Sequence, residues 1–256
     1  MRPTAKPYPT VPIFGIHFSK MNMKETVNYL AGVIERREPS QVVTGNPIML
    51  MAGLDHDAYY RVLEEAELVV PDGAGVVWAS EYVGDPVQER VAGFDLLHEL
   101  MREGERRRWS VYLLGTNQET IEAAARNLQE SYPLVKLAGF RNGYFGPDED
   151  EAVVAEIRKA APDLLFVARD LMTQEPWIGR HKDALGVPVM MGVGGSLDII
   201  AGKMKRAPVA MQKLRMEWLY RLLKQPTRAG RMLALPKFAL KVIRARENIA
   251  KRPSSS

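Results

Sequence analysis

The 256 residues are 46% hydrophobic, enough to bury a core in one large domain or two small ones, and they include no cysteine, which excludes disulfides, thiolate metal sites and a cysteine nucleophile. The formal net charge of +4 conceals a division: of 35 Lys and Arg and 31 Asp and Glu, 15 basic but only two acidic residues lie from Lys203 onward, leaving 20 basic and 29 acidic before it. A body of about −9 joined to a tail of about +13 calls for an anionic partner for the tail, whether nucleic acid, a phosphate-bearing ligand or an anionic lipid surface.

In chain order, the opening MRPTAKPYPTVPIFG has no continuous apolar run of the kind that marks a signal peptide, and no later stretch approaches the roughly 18 apolar residues of a spanning helix. The expectation is a protein that is not integral to a membrane but can lie on one. From Gln41, short apolar runs alternate with helical patterns. The expected strands are Gln41 to Thr44, Leu68 to Pro71, Val111 to Gly115, a weaker Lys136 to Phe140, Asp163 to Ala168, and Val187 to Gly194. Most are followed directly by a helical stretch: PIMLMAGL, GAGVVWASEYV, ETIEAAARNLQESY, EDEAVVAEIRKA or LDIIAG. Strands apolar on both faces and alternating with helices predict an α/β protein with a mostly parallel sheet covered by helices. Ligands of such sheets bind beyond the carboxyl ends of the strands, so the residues there are the first candidates for function.

Thr44-Gly45-Asn46 follows the first strand and reads equally as a helix cap or as a ligand contact. Asp72 ends an apolar strand and precedes a flexible Gly73-Ala74-Gly75 turn, so its carboxylate stands at the rim of the expected cleft. It is a cap or, if partly desolvated, a general base. Gly115-Thr116-Asn117 is a cap-like turn before an amphipathic helix. MGVGGSLD, Met191 to Asp198, lets backbone approach a phosphate closely, yet it fits neither GxGxxG nor GxxxxGK[ST], which argues against a dinucleotide or P-loop enzyme. His17, His56, His98 and His181 lack metal-ligand spacing. Asp148 to Asp150 and Asp55 to Asp57 imitate the DxD of metal-using sugar-nucleotide enzymes, but the first sits at a helix start, where acids are favoured anyway, and the second within or just after a helix. No metal and no cofactor are expected. Arg90 in ERVAGFDLL and Gln174-Glu175 in MTQEPWI carry no role that pattern alone assigns.

In the tail, Leu214, Trp218 and Leu222 recur at helical spacing, with Leu219 and Leu223 widening the stripe. Arg221, Arg228 and Arg231 share one side of a regular helix, although Pro226 predicts two short helices instead. A terminal helix docked on the core, an interfacial membrane helix and a nucleic-acid-binding segment all remain open, the last without any recognised module beside it.

Taken together, VTGNP, AELVVPDGAGVVWAS, ERVAGFDLL, YLLG, NGYF, PDLLFVA, QEPWI, GVGGSLDIIAGKMKRAP and EWLYRLLKQPTRAGRMLALPKF, in this order and spacing from about Gly15 to Ala245, resemble the bacterial WecG/TagA/CpsF glycosyltransferases of cell-surface polysaccharide synthesis. The resemblance implies a Rossmann-like body over residues 1–202, a basic amphipathic helical appendage over 203–250 and a disordered end over 251–256. It implies metal-independent, inverting transfer of an N-acetylmannosamine, N-acetylmannosaminuronate or glucose-type sugar from a UDP donor to a polyprenyl-diphosphate-linked acceptor at the inner face of the cell membrane. Asp72 would be the general base. Thr44, Asn46, Arg90 and Gln174 would line the sugar pocket. Tyr144 and the 192 to 198 loop, with Gly194, Gly195, Ser196 and Asp198, would hold the nucleotide. Arg221, Arg228 and Arg231 would close over the site and neutralise diphosphate. An anionic membrane surface would be a partner and nucleic acid would not, and a homo-oligomer is left open. Where the family reads close to LGxPxQExW, this chain reads RDLMTQEPW, so Arg169, Asp170 and Met172 replace Leu, Gly and Pro, which bears on donor choice and on turnover. A membrane-adsorbed scaffold without turnover is the rival reading, and a nucleic-acid-binding α/β protein the more distant one.

Overall fold

The computed structural model describes residues 6–213, 216–224, 226, 229–245 and 248–253, leaving aside the side chains of Lys213 and Arg221. It begins with an element that the sequence reading does not anticipate. Strands β1 (Thr10–Ile13) and β2 (Ile16–Ser19) pair antiparallel around a two-residue turn, Phe14-Gly15. Both turn residues have positive φ, 51° and 83°, the geometry that matches the twist of a tight hairpin. A Cβ at Gly15 would lie 2.2 Å from the Tyr60 hydroxyl, so glycine is required there. Phe14 is held in its unfavourable conformation by burial: its ring meets Phe238 edge-on at 5.8 Å, its carbonyl accepts from Tyr60 Oη at 2.9 Å, and its N–H donates to the Ile249 carbonyl at 2.6 Å.

Helix α1 (Met23–Arg36) starts with a reciprocal cap, Asn22 Oδ1 accepting from Glu25 N and Glu25 Oε2 from Asn22 N, each at 2.9 Å. The main sheet then contains all six expected strands: β3 (Ser40–Gly45), β4 (Leu68–Pro71), β5 (Ser110–Gly115), β6 (Lys136–Arg141), β7 (Leu164–Ala168) and β8 (Val189–Gly192). They pair in parallel in the order β4-β3-β8-β7-β5-β6. Strand period two sends Val42, Leu68, Leu113, Phe166 and Met191 into one apolar cluster. Their neighbours Val43 and Val69 enter a second cluster, and Leu114, Val167 and Met190 a third. The first cluster is covered by α1, α5 (Gly93–Arg107), α6 (Gln118–Ser131) and the short α9 (Ser196–Ile200). The other face is covered by the hairpin, α2 (Pro47–Asp55), α3 (Asp57–Glu65), α4 (Ala74–Tyr82), α7 (Asp150–Ala160) and α8 (Leu171–Leu185). This is a Rossmann-like α/β fold, with both sheet faces buried, as continuous apolar strands require.

The basic segment supplies α10 (Val209–Lys213), α11 (Glu217–Lys224), α12 (Ala229–Met232) and α13 (Ala234–Arg244). Pro226 falls between α11 and α12. Phe238 and Val242 of α13 are buried in the same cluster as the hairpin and α2, so the end of the chain crosses the rim of the sheet. Leu214 lies outside the described residues.

Candidate active site

The chain moves outward from β3 to β4 on one side and from β5 to β6 on the other, so a crevice opens beyond the carboxyl ends of the central strands. A cleft of about 1070 Å³ occupies it, walled by the strand ends below and by Trp218, Arg231 and Leu235 of the basic segment on the other side. Every predicted site residue whose side chain is described contributes to its lining. The side chain of Arg221 and all of Arg228 lie outside the described residues.

Asp72 directly follows β4, with its N–H bonded to the Gly45 carbonyl at 3.0 Å. Its carboxylate accepts from Arg90 Nη2 at 3.2 Å, while Arg90 Nε donates to the Asp72 main-chain carbonyl. Arg90 Nη1 reaches Glu217 Oε2 at 2.6 Å, and Glu217 Oε1 lies 3.5 Å from Arg206 Nε. Arg206 in turn grips Asp95 with two bonds of 2.6 and 2.8 Å. Burial works against the charge on Arg90, but Asp72 and Glu217 more than offset it and raise its pKa. A neighbouring guanidinium favours the ionised form of a carboxylate, the form a general base requires. Asp95, Arg206 and Glu217 were missed from sequence.

Several expected ligand contacts are engaged in holding the site together. Asn46 caps α2, its Oδ1 accepting from Ile48 N at 3.0 Å and Met49 N at 3.1 Å, and Asn117 caps α6 by accepting from Thr120 N at 2.9 Å. Thr44 is buried, with Oγ1 3.5 Å from the Gly192 carbonyl. Gln174 Oε1 accepts from Gly194 N at 3.0 Å and Arg169 N at 3.3 Å, and its Nε2 donates to Glu175 Oε1 at 2.9 Å. It thereby fixes the glycine-rich loop. In that loop the amides of Val193, Gly194 and Ser196 already donate within the protein, to Val167 O, Gln174 Oε1 and Val193 O. Helix α9 is five residues long, so the phosphate cradle expected from Gly194, Gly195 and Ser196 has fewer available donors and a weaker dipole than the sequence suggested. Asp198 Oδ1 accepts from Thr116 Oγ1 at 3.4 Å. Tyr144 is 79% exposed on the loop after β6. In the DxD-like segments, Asp150 Oδ1 accepts from Trp177 Nε1 at 2.8 Å, and the exposed Asp57 pairs with Arg252.

A sequence profile of the WecG/TagA/CpsF glycosyl transferase family matches residues 11–252. The chain belongs to this family. It is 36% identical over 243 residues to an N-acetylglucosaminyldiphosphoundecaprenol N-acetyl-beta-D-mannosaminyltransferase of Staphylococcus aureus strain MW2, spanning 94% of this chain and 95% of the relative. The proteins of the same description from strains NCTC 8325 and COL match at the same identity and coverage. As a WecG/TagA/CpsF protein, the chain is a glycosyltransferase.

Beneath the glycine-rich loop lies a group that the sequence left unassigned. Glu175 is fully buried and accepts from Gln174 Nε2 at 2.9 Å and Gln41 Nε2 at 3.0 Å. A Cβ at Gly192 would sit 2.1 Å from its Oε1, so the strand must be glycine where this carboxyl packs. Burial pushes Glu175 up to about 6, although the amide donors pull the other way. A raised carboxyl pKa means that the folded state holds the proton more tightly, so this contribution to stability is complete below about pH 4.5 and is lost as pH rises through 6. Glu175→Gln should therefore remove about 2 kcal/mol of that pH dependence, read from urea unfolding at pH 4.5 and 7.5. Parallel pH profiles for the two proteins would refute the assignment.

Proposed function

We propose that the protein transfers a sugar, with inversion and without a metal, from a UDP donor to a polyprenyl-diphosphate-linked sugar in cell-surface polysaccharide synthesis. The observation that carries this reading is Asp72, oriented by Arg90 at the rim of a large cleft that the basic segment borders. The names of the staphylococcal relatives, which specify a diphosphoundecaprenol-linked N-acetylglucosamine and a mannosaminyl group, support the acceptor class and an N-acetylmannosamine-type donor. Asp72 takes the proton of the acceptor hydroxyl as its oxygen attacks the anomeric carbon. The bond from that carbon to the UDP oxygen breaks, and its electron pair leaves with the β-phosphate. Arg90 fixes both the Asp72 carboxylate and its main chain, which holds the base in one orientation. Arg231 borders the cleft and has no carboxylate within 4.0 Å among the described residues, which suits it to the charge developing on UDP, with Arg221 and Arg228 as its partners.

The appendage gives the enzyme its route to a lipid-linked acceptor. Trp218, Leu223, Leu233, Leu240 and Ile243 are exposed on α11 and α13 and at the start of the latter, among Lys224, Lys237, Lys241 and Arg244. No helix among the described residues is long and apolar enough to cross a membrane. Each cation near an anionic leaflet contributes about 1 kcal/mol, and inserted Leu and Trp side chains add to it. The test is UDP release from UDP-N-acetylmannosamine, with and without a polyprenyl-diphosphate N-acetylglucosamine acceptor. No acceptor-dependent release from this or other UDP-sugars would defeat the proposal. Replacing Leu223, Leu240 and Ile243 together by Ser should weaken co-sedimentation with phosphatidylglycerol vesicles by about tenfold or more, since each lost insertion is worth roughly 1 kcal/mol at half depth. Undiminished co-sedimentation would remove this surface from the account.

A further inference from the structure

Four described arginines line the cleft: Arg90, Arg169, Arg206 and Arg231. Arg90 of the body and Arg206 of the basic segment are each committed to carboxylates, whereas Arg169, at the carboxyl end of β7, has none within 4.0 Å among the described residues. Its guanidinium carbon lies 4.3 Å over the Phe145 ring, and Nη2 donates to the Phe145 carbonyl at 3.3 Å. Stacking uses the face of the guanidinium and leaves its in-plane N–H fork, of which one donor is engaged. The nearest acids do not serve it: Asp150 is occupied by Trp177 Nε1 at 2.8 Å and lies 3.4 Å from His181 Nε2, and Asp170 is exposed. Burial lowers the Arg169 pKa despite both acids, so this charge is held at a desolvation cost that an anionic partner would offset.

Its place in the cleft points the same way. Gln174 Oε1 accepts from the N–H groups of both Arg169 and Gly194, which sets Arg169 beside the glycine-rich loop. Asp72 follows β4, three strand positions away, or roughly 14 Å at the usual strand spacing. The base and Arg169 therefore line the same cleft from strands three positions apart, with Arg169 toward the β5 and β6 side.

We propose that Arg169 is a donor-reading residue whose fork binds an anionic oxygen pair of the UDP-sugar, on its diphosphate or on a carboxylate of the sugar. This rests on the donor class proposed above. The fork geometry of arginine matches both groups. The family pattern that this chain resembles has an aliphatic residue here, so Arg169→Leu should fold, and its melting temperature should stay near wild type because losing the Phe145 contacts is offset by removing a desolvated charge.

The full chain and its Arg169→Leu and Arg169→Lys variants would be titrated with UDP, UDP-N-acetylmannosamine and UDP-N-acetylmannosaminuronate. Loss of one charge-assisted pair should weaken binding roughly 10- to 100-fold in the Leu variant, with Lys recovering part of it. Equal weakening for all three ligands places the contact on the diphosphate, and kcat should then fall too, because charge grows on that group during transfer. Weakening confined to the uronate places it on the sugar carboxylate, with KM alone affected. Wild-type affinity of the Leu variant for all three ligands overturns the proposal and leaves the UDP reading intact. So does a Leu defect that Lys does not relieve and that comes with a lower melting temperature, since that marks a role only in holding Phe145. No binding of any of the three by wild type overturns the UDP reading, and this proposal with it.

Discussion

Asp72→Asn is expected to lower kcat by about 10²- to 10⁴-fold, the range that a positioned general base supplies. Asparagine has the same shape and retains an oxygen to accept from Arg90 Nη2, and the bond from Arg90 Nε goes to the main chain, which the substitution leaves alone. Arg90 also keeps its 2.6 Å contact with Glu217, so the fold around the rim should persist and the melting temperature should move little. What is lost is the capacity to take a proton. UDP binding should be nearly unchanged, and the defect should appear in turnover at saturating donor and acceptor. A variant that keeps more than about a tenth of wild-type kcat would show that another group takes the proton. The contrast with Asn46→Ala is informative. That side chain caps α2, so its removal should cost about 1 kcal/mol of stability.

The sheet was legible because its strands are apolar at consecutive positions. Val42 and Val43, or Leu165, Phe166 and Val167, must bury both faces, and a short parallel strand does that. The hairpin was not, because Pro12 interrupts a strand pattern and the turn sets a phenylalanine at positive φ. That conformation is paid for by Phe238, more than two hundred residues away. Helix α1 carries a readable signal in the reciprocal cap of Asn22 and Glu25. Helix α8 hid behind Pro176, which lies inside it, past the first turn, where proline removes a backbone hydrogen bond and ordinarily marks a break. At the site, single residues at strand ends could be named, yet their division of labour could not. Gln174 and Asn46 line the cleft, as their positions suggest, and their bonds also hold the loop and the helix beside it, a role that position alone does not reveal. Arg206 and Asp95 had no sequence signal. Glu217 had one: it is one of only two acids in a segment with 15 cations, and so the one that repays a search for what it neutralises.

Glu217→Gln is expected to loosen α11 from the body and to reduce turnover by roughly tenfold or more through the orientation of Asp72. The wild-type carboxylate is buried between Arg90 at 2.6 Å and Arg206 at 3.5 Å, and through Arg90 it links α11 to the base. Removing one partner of a buried pair costs about 3–5 kcal/mol, but both arginines are about a quarter exposed and each keeps another acid, so about 1–2 kcal/mol is the reasonable expectation here. Relieved of Glu217, Arg90 should turn its full fork on Asp72, holding the base more tightly just when it must accept a proton. The loosening should appear as faster tryptic cleavage between residues 213 and 231. A double-mutant cycle with Arg206→Gln should return a coupling near 1 kcal/mol, whereas additive losses would show that the two do not act together. Unchanged cleavage together with unchanged kcat would mean that α11 is seated by the packing of Trp218 and its neighbours, with the ion pairs incidental. In the expected case, the acid that runs against the tail's charge joins α11 to the chemistry.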